Sequence, residues 1–416
     1  MNSLGERIKH LRKQKKMTLA ELAGDRLTKG MLSLIENGKA QPSMESLRYI
    51  AERVGVEVSS LLDEGNIEEL RELLFDIETE YKIIFYPYDV KEKERIMKMF
   101  NKISKIKEQL QGKKYEEIRL LDYYIRFITI LNYEQEDLTM FDVITYYEKV
   151  HAYSRIVDSY GFLAGYAFYR NDYKIALQFI QEAEQRIEPY LHLIDKISIL
   201  DLHYLLTVLY AAIDDTANTQ KHLDLALEIA RKHKIYYRLD DFYRFILIQS
   251  IAQDDHEKSQ YYLKKLKQHA ELTEDEEAYG VLAFANAHYT NLMIKDYKKV
   301  EEIMKQLIVD FNIDSLSEIL LVEVIYSYWA LGDYQKALDT SENFTIPSYV
   351  HHPIDLAIMF RCFAVRALCY HELGQKEAAK KEILYAYHGV AEFPSSIYKT
   401  FIQDAYEKIQ YGKRVK

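Results

Sequence analysis

The residues with the clearest chemistry lie in one run of 21, LTKGMLSLIENGKAQPSMESL, from Leu27 to Leu47. Thr28 has the residue type of a helix N-cap, and Lys29 to Glu36 should follow as a helix. Leu32 and Ile35 sit three apart, which gives them one inward face and leaves Lys29, Gly30, Ser33 and Leu34 outside. Helix N-termini and short polar side chains bind phosphate oxygens. A lysine ammonium can donate to guanine N7 or O6. The chemistry predicted is recognition of a nucleic acid.

The rest of the chain carries no comparable signal. It contains no G-x-x-x-x-G-K-[ST], H-E-x-x-H, G-x-S-x-G or C-x-x-C pattern, so no catalytic residue, cofactor or metal is expected. His351 and His352, beside Pro353, read as the polar surface of a connecting loop.

Short helices must position the reading face. Ser3 to Lys15 is expected as an amphipathic helix with Leu4, Ile8 and Leu11 inward and Arg7, Lys9, Arg12, Lys13, Lys15 and Lys16 outward. Thr18 and Glu21 have capping-box spacing for a helix over Leu19 to Ala23, which Gly24-Asp25 ends. Gly38 suits the C′ position of the next helix, and Pro42 blocks its continuation. Ser43 opens a fourth helix whose buried stripe is Leu47, Ile50, Ala51 and Val54, and GVEVSSLL packs back as a last turn.

Charge separates this head from the remainder. Residues 1–65 hold 11 Lys+Arg against 9 Asp+Glu, a net +2, whereas the whole chain is −10, so the remainder is −12. An acidic body should avoid wrapping DNA. The two cysteines, Cys362 and Cys369, are seven apart on one expected helix, which suits a reduced cytoplasm rather than a disulfide. No signal peptide is expected, and no apolar run approaches the ~18 residues that a membrane span needs. Only 6 Pro and 14 Gly in 416 residues favour long helices and short connections, and 36 Tyr suit helix interfaces and peptide-lined grooves.

After an expected hinge at Asp63 to Asn66, a linker helix is expected over residues 67–85, broken by Pro87, then helices over 91–111 and 114–131. From there a repeat shows as a small turn followed by a small residue. Its slot is held by Ala176, Thr219, Ser259, Val300, Ala337 and Ala379, spaced 37 to 43 apart. Seven residues on, Ala183, Ala226 and Ala386 allow close approach of the next repeat. A single helix pair cannot bury its own apolar face, so such pairs stack. Ser395 to Ile409 should cap the stack. The expected fold is all-α: a DNA-binding head at 1–65, a linker helix at 66–90 and a repeat body at 91–416.

An inner wall rich in Tyr, Asn and isolated Arg suits an extended peptide, because amides pair with its backbone and Arg grips a carboxylate. Arg126 stands alone in LLDYYIRFITIL; Asn286 and Tyr289 interrupt LAFANAHYTNLM; Tyr204, Arg244 and Tyr326 fall at repeat positions expected on the concave face. The alternative is that each bridges neighbouring helices.

Residues 4–62 resemble the phage-repressor and Cro-type helix-turn-helix domain, with ENGK followed by a Pro and a helix as the specific signature. By that resemblance Lys29, Gly30, Ser33 and Leu34 take base-facing positions, and Thr18, Asn37 and Lys39 hold phosphates, with Thr28 capping the recognition helix. The body resembles tetratricopeptide repeats wound into a right-handed superhelix. Together they resemble the Gram-positive peptide-pheromone receptors of the Rap, NprR, PlcR and PrgX group, NprR most of all. That resemblance implies a cytoplasmic quorum-sensing regulator, a homodimer or higher oligomer, with double-stranded DNA and a short signalling peptide as partners. The second implied reading is a Rap-like protein acting on a response regulator through the 67–150 helices, with Gln109, Gln111 or Glu116 as contacts. A plain DNA-tethered scaffold is the third.

Overall fold

The computed structural model describes residues 4–58, 61, 64–84, 89–134 and 137–412, all of whose regular elements are helical. Packing divides the chain into two compact units, Met1–His151 and Ala152–Lys416. The expected division into a head at 1–65, a linker helix at 66–90 and a body at 91–416 does not fall on this packing boundary.

The first unit begins with four short helices, α1 (Leu4–Gln14), α2 (Leu19–Ala23), α3 (Lys29–Glu36) and α4 (Met44–Val54). Their starts are fixed by side chains. Thr18 and Glu21 form the capping box, and the Thr28 and Ser43 hydroxyls accept from Met31 N and Ser46 N. Ile8, Leu22, Leu32, Ile35, Ile50, Val54 and Leu61 form one fully buried core. Gly5 lets α1 lie against the end of α3, since a Cβ there would meet the Ile35 carbonyl oxygen. The basic face expected on α1 needs one correction: Arg12 turns inward. Its Nε and Nη2 donate to the two Glu36 oxygens at 2.6 and 2.8 Å, and Nη1 donates to the Met17 carbonyl at 2.8 Å.

Next come α5 (Glu64–Lys82), α6 (Val90–Ser104), α7 (Tyr115–Leu131) and α8 (Met140–Lys149). Residues 64–66 are the first turn of α5 rather than a hinge; Ser3, Asp63, Pro87 and the 413–416 tail lie outside the described residues. Helix α7 packs against α5, α6 and α8 and is buried on nearly every side.

The second unit is built of six helix pairs and a final helix. The pairs are α9 (Tyr153–Tyr169) with α10 (Tyr173–Ile187), α11 (Lys196–Ala212) with α12 (Thr216–His233), and α13 (Leu239–Ala252) with α14 (His256–Thr273). They continue as α15 (Glu276–Tyr289, with a π turn over Thr290–Ile294) with α16 (Tyr297–Phe311), α17 (Glu318–Ala330) with α18 (Tyr334–Thr340), and α19 (Pro353–Glu372) with α20 (Lys376–Gly389). Helix α21 (Ile397–Tyr411) closes the stack, with Ser396 as its N-cap. Each pair is joined by the same two-residue device. Asn171, Asp214, Asp254, Lys295, Gly332 and Gly374 adopt φ between +57° and +83°. The following residue, Asp in five of the six turns, is the N-cap, and in Asp172, Asp215 and Asp255 its carboxylate accepts from the backbone three residues on.

All six slot residues are buried, at 2% exposure or less, as are Ala183, Ala226 and Ala386. Thr219 and Ser259 fit the slot because each hydroxyl donates back to a carbonyl one turn earlier, both at 2.7 Å. The first helices of the last four pairs also contact one another in sequence and then α21. A buried polar network threads this row. Glu323 accepts from Arg361 Nη2 at 2.6 Å and from Asn291 Nδ2 at 2.8 Å, and pairs with His288 Nδ1 at 2.8 Å, while His288 Nε2 meets the Tyr398 hydroxyl at 2.7 Å. Burial pushes the Glu323 carboxyl up, but Arg361 and His288 outweigh it and hold it at about 2.

Candidate nucleic-acid interface

The outer face of α3 is open. Lys29, Gly30, Leu34, Asn37 and Lys39 are exposed, Ser33 is half-buried, and Thr18 and Thr28 are exposed caps at the starts of α2 and α3. Leu34 keeps 47% of its surface and Met31 42%, which are large values for apolar residues in so small a domain. No atom lies within 4 Å of a Cβ built on Gly30, so another molecule's backbone can approach there. Asn37 caps the C-terminus of α3 through Nδ2 to the Ser33 carbonyl at 2.8 Å, which directs Lys39 past the helix end. Of the eight head residues singled out in the sequence, seven are therefore exposed and Ser33 is half-buried, with Lys29, Gly30, Ser33 and Leu34 on the outer face of α3. The Arg12–Glu36 pair behind it holds α1, the start of the α2 turn and the end of α3 in one arrangement. Sequence reading missed that pair, because position 12 falls in a basic run.

The peptide candidates divide between the two units. Arg126 is buried on α7, where its Nε donates to Asp122 Oδ1 at 2.6 Å. Asp122 also accepts from Arg119 Nη1 at 3.0 Å and from the Tyr147 hydroxyl at 2.8 Å. Burial would raise the Asp122 carboxyl, and Arg126 and Arg119 lower it instead. Arg126 is thus engaged within its own helix, and Tyr147 carries the cluster across to α8. A lone arginine in an apolar helix was legible, but the second arginine and the tyrosine sharing its partner were not. Among the response-regulator candidates, Gln109 and Gln111 are exposed, and Glu116 accepts from Arg71 Nε at 2.7 Å.

The other five, Tyr204, Arg244, Asn286, Tyr289 and Tyr326, all lie on first helices of pairs in the second unit. Tyr204 carries the Arg238 guanidinium 4.2 Å from its ring centre. Arg244 Nη1 donates to Asp355 at 2.9 Å, and that carboxylate raises the arginine's pKa against burial. About a quarter of both side chains stays open, 29% and 27%. Tyr326 stacks on Arg361, whose guanidinium lies 4.6 Å from its centroid. Asn286 is half-buried, and its amide makes no hydrogen bond among the described residues; the Tyr289 hydroxyl is buried without a partner. His351 and His352 are not plain polar surface: Tyr173 donates to the His351 carbonyl at 2.8 Å, and His352 Nδ1 accepts from Ile354 N at the start of α19. One further group escaped the sequence. Glu184, His203 and His222, on α10, α11 and α12, bring ligand atoms within 4.8 Å of one another. Cys362 and Cys369 are buried free thiols on α19, and burial pushes both up.

Comparison with known proteins agrees with the head. Residues 5–66 match the family described as a helix-turn-helix domain. The chain is 30% identical over 132 residues to the HTH-type transcriptional repressor RghR of Bacillus subtilis (strain 168), covering 31% of this chain and 93% of RghR. It is 22% identical over 315 residues to the transcriptional activator NprA of Geobacillus stearothermophilus, covering 75% of this chain and 74% of NprA. A crystal structure of a Rap protein complexed with competence and sporulation factor superposes with a TM-score of 0.47 at 15% identity, over 82% of this chain and 98% of that one. The chain belongs to the helix-turn-helix transcriptional regulators. No described helix is long and apolar enough to cross a membrane.

Proposed function

We propose that this regulator reads a DNA half-site with the open face of α3 and answers to a short signalling peptide held along the first helices of its repeats. The observation that carries the reading is the open edge itself: Lys29, Gly30, Ser33 and Leu34 presented outward between the Thr28 cap and Asn37-Lys39. Lys29 donates to base edges or phosphates, and Thr18, Asn37 and Lys39 fix the register. A head of this size reads one half-site, so the working form is a dimer or higher oligomer with heads one helical turn or a multiple apart. In the body, the unpartnered Asn286 amide pairs with peptide backbone, the partly open Arg244–Asp355 pair offers charge, and Tyr204, Tyr289 and Tyr326 line the course. Arg126, engaged by Asp122, takes no part. The protein works in the cytoplasm, and its function has no catalytic step.

Native mass spectrometry of the gently desalted full chain tests this. A co-purified short peptide, or an oligomer shift on adding a peptide extract of the producing culture, is the expected result. Neither change, with DNA binding intact, would overturn the peptide half. In the same assay Asn286→Ala should weaken peptide binding by about 1 kcal/mol, roughly fivefold, with an unchanged melting curve.

A further inference from the structure

The group formed by Glu184, His203 and His222 has no part in the reading above. His203 and His222 face each other with Nδ1 atoms 3.1 Å apart and ring centres at 5.2 Å. Two lone pairs at that distance repel unless a proton or a cation lies between them. A tetrahedral zinc ion, with Zn–N of about 2.0–2.1 Å, spaces two nitrogen ligands at ~3.3 Å, close to what is seen. The third member supplies negative charge. Glu184 is half-buried and makes no ion pair or hydrogen bond among the described residues, while one of its carboxylate oxygens lies within 4.8 Å of a ring nitrogen of each histidine. Closing that gap takes a rotamer adjustment of a flexible side chain.

The two rings are held in place beforehand. His222 is 1% exposed and stacks on Tyr210 at 5.5 Å and 15°. The Tyr210 hydroxyl in turn accepts from Gln181 Nε2 at 3.0 Å, one turn before Glu184 on α10.

We propose that Glu184, His203 and His222 form a binding site for one divalent transition cation of the zinc type, which clamps α10, α11 and α12 together. Two imidazoles and one carboxylate suit zinc and leave a fourth position for water. The clamp joins the second helix of one repeat to both helices of the next, so it fixes the joint between the first two repeats.

The test uses untagged full-length protein stripped with a chelator and titrated with zinc or cobalt(II). The expected result is one equivalent bound, a tetrahedral cobalt spectrum, and a melting temperature raised by a few degrees, ~2–4 °C or more, in excess metal. Glu184→Gln and His203→Gln, both at half-buried positions, should each weaken binding more than ~10-fold, since loss of even an outer partner costs that much. Absence of stoichiometric uptake would show a hydrogen-bonded imidazole pair and overturn the proposal. Uptake unaltered in both variants would place the metal elsewhere, for instance at His351-His352, and overturn it equally.

Discussion

Removing one half of the Arg12–Glu36 pair should loosen the DNA-reading head without touching its reading face. Glu36 is 4% exposed and Arg12 11%, and the two are joined by bonds of 2.6 and 2.8 Å. Glu36→Gln leaves the guanidinium with one neutral acceptor where it had a two-oxygen carboxylate. Breaking a buried pair typically costs about 3–5 kcal/mol, and an exposed pair is worth at most ~1. Arg12 keeps 11% of its side chain open, so the pair falls between these limits, and about 2 kcal/mol is the appropriate figure. That is a large part of the stability of a small domain. Hydrogen exchange on the full chain reads this locally: amides in α1 to α4 should lose about 30-fold in protection, and those of the second unit should not change. Arg12→Met alone should cost a similar amount, and the double substitution Arg12→Met/Glu36→Gln should cost less than the two added together. A Glu36→Gln effect under ~0.5 kcal/mol, or strict additivity, would show that the pair does not hold the head together.

Three further outcomes are expected. Lys29→Ala should weaken operator binding and flatten its salt dependence by about one unit of slope if the ammonium neutralises a phosphate, measured by fluorescence anisotropy at several salt concentrations; an unchanged curve removes Lys29 from the interface. Asp122→Asn should remove the buried carboxylate that Arg119 and Arg126 share, leaving Arg119 its Glu78 partner, and destabilise the first unit by about 3 kcal/mol, whereas Arg126→Ala should alter the melt rather than peptide affinity; a wild-type melt for Asp122→Asn refutes the cluster's role. The Glu323 carboxyl is lowered from 4.5 to about 2, so its contribution is fully present above pH 4.5 and is lost as pH falls toward 2. That contribution is about 3 kcal/mol, and Glu323→Gln should remove that part of the acid sensitivity in a series of melts between those pH values.

Periodicity and caps made the elements legible. Thr18 with Glu21, Thr28 and Ser43 announced three helix starts in the head, and Leu32 with Ile35 fixed which face of α3 is inward. The six slot residues located the repeats because a small side chain is needed wherever two helices cross closely. Ser259 and Thr219 can hold that slot because their hydroxyls are satisfied on their own helix, which a composition rule does not anticipate. What the sequence concealed is pairing across long separations. Arg12 looked like one more surface cation, since its partner Glu36 lies on another helix 24 residues away. Arg126 looked available because local sequence displays one aspartate four residues back but not that the aspartate is shared and sealed. Glu184, His203 and His222 have no spacing signature at all; three successive helices bring them together only after folding.

The polar network around Glu323 changes how the end of the repeat stack should come apart. In a simple array each unit holds only its neighbours, so the last one frays first and the loss spreads inward step by step. Here Tyr398 on the closing helix meets His288, 110 residues earlier and three first-helices away, with Glu323 and Arg361 bonded between them. Opening the closing helix alone would take the hydroxyl partner from the buried His288 and the Tyr398 ring from the buried Arg361, a cost that reaches beyond the adjoining pair. The final three pairs and the closing helix therefore behave as one unfolding block, with an abrupt boundary at α15.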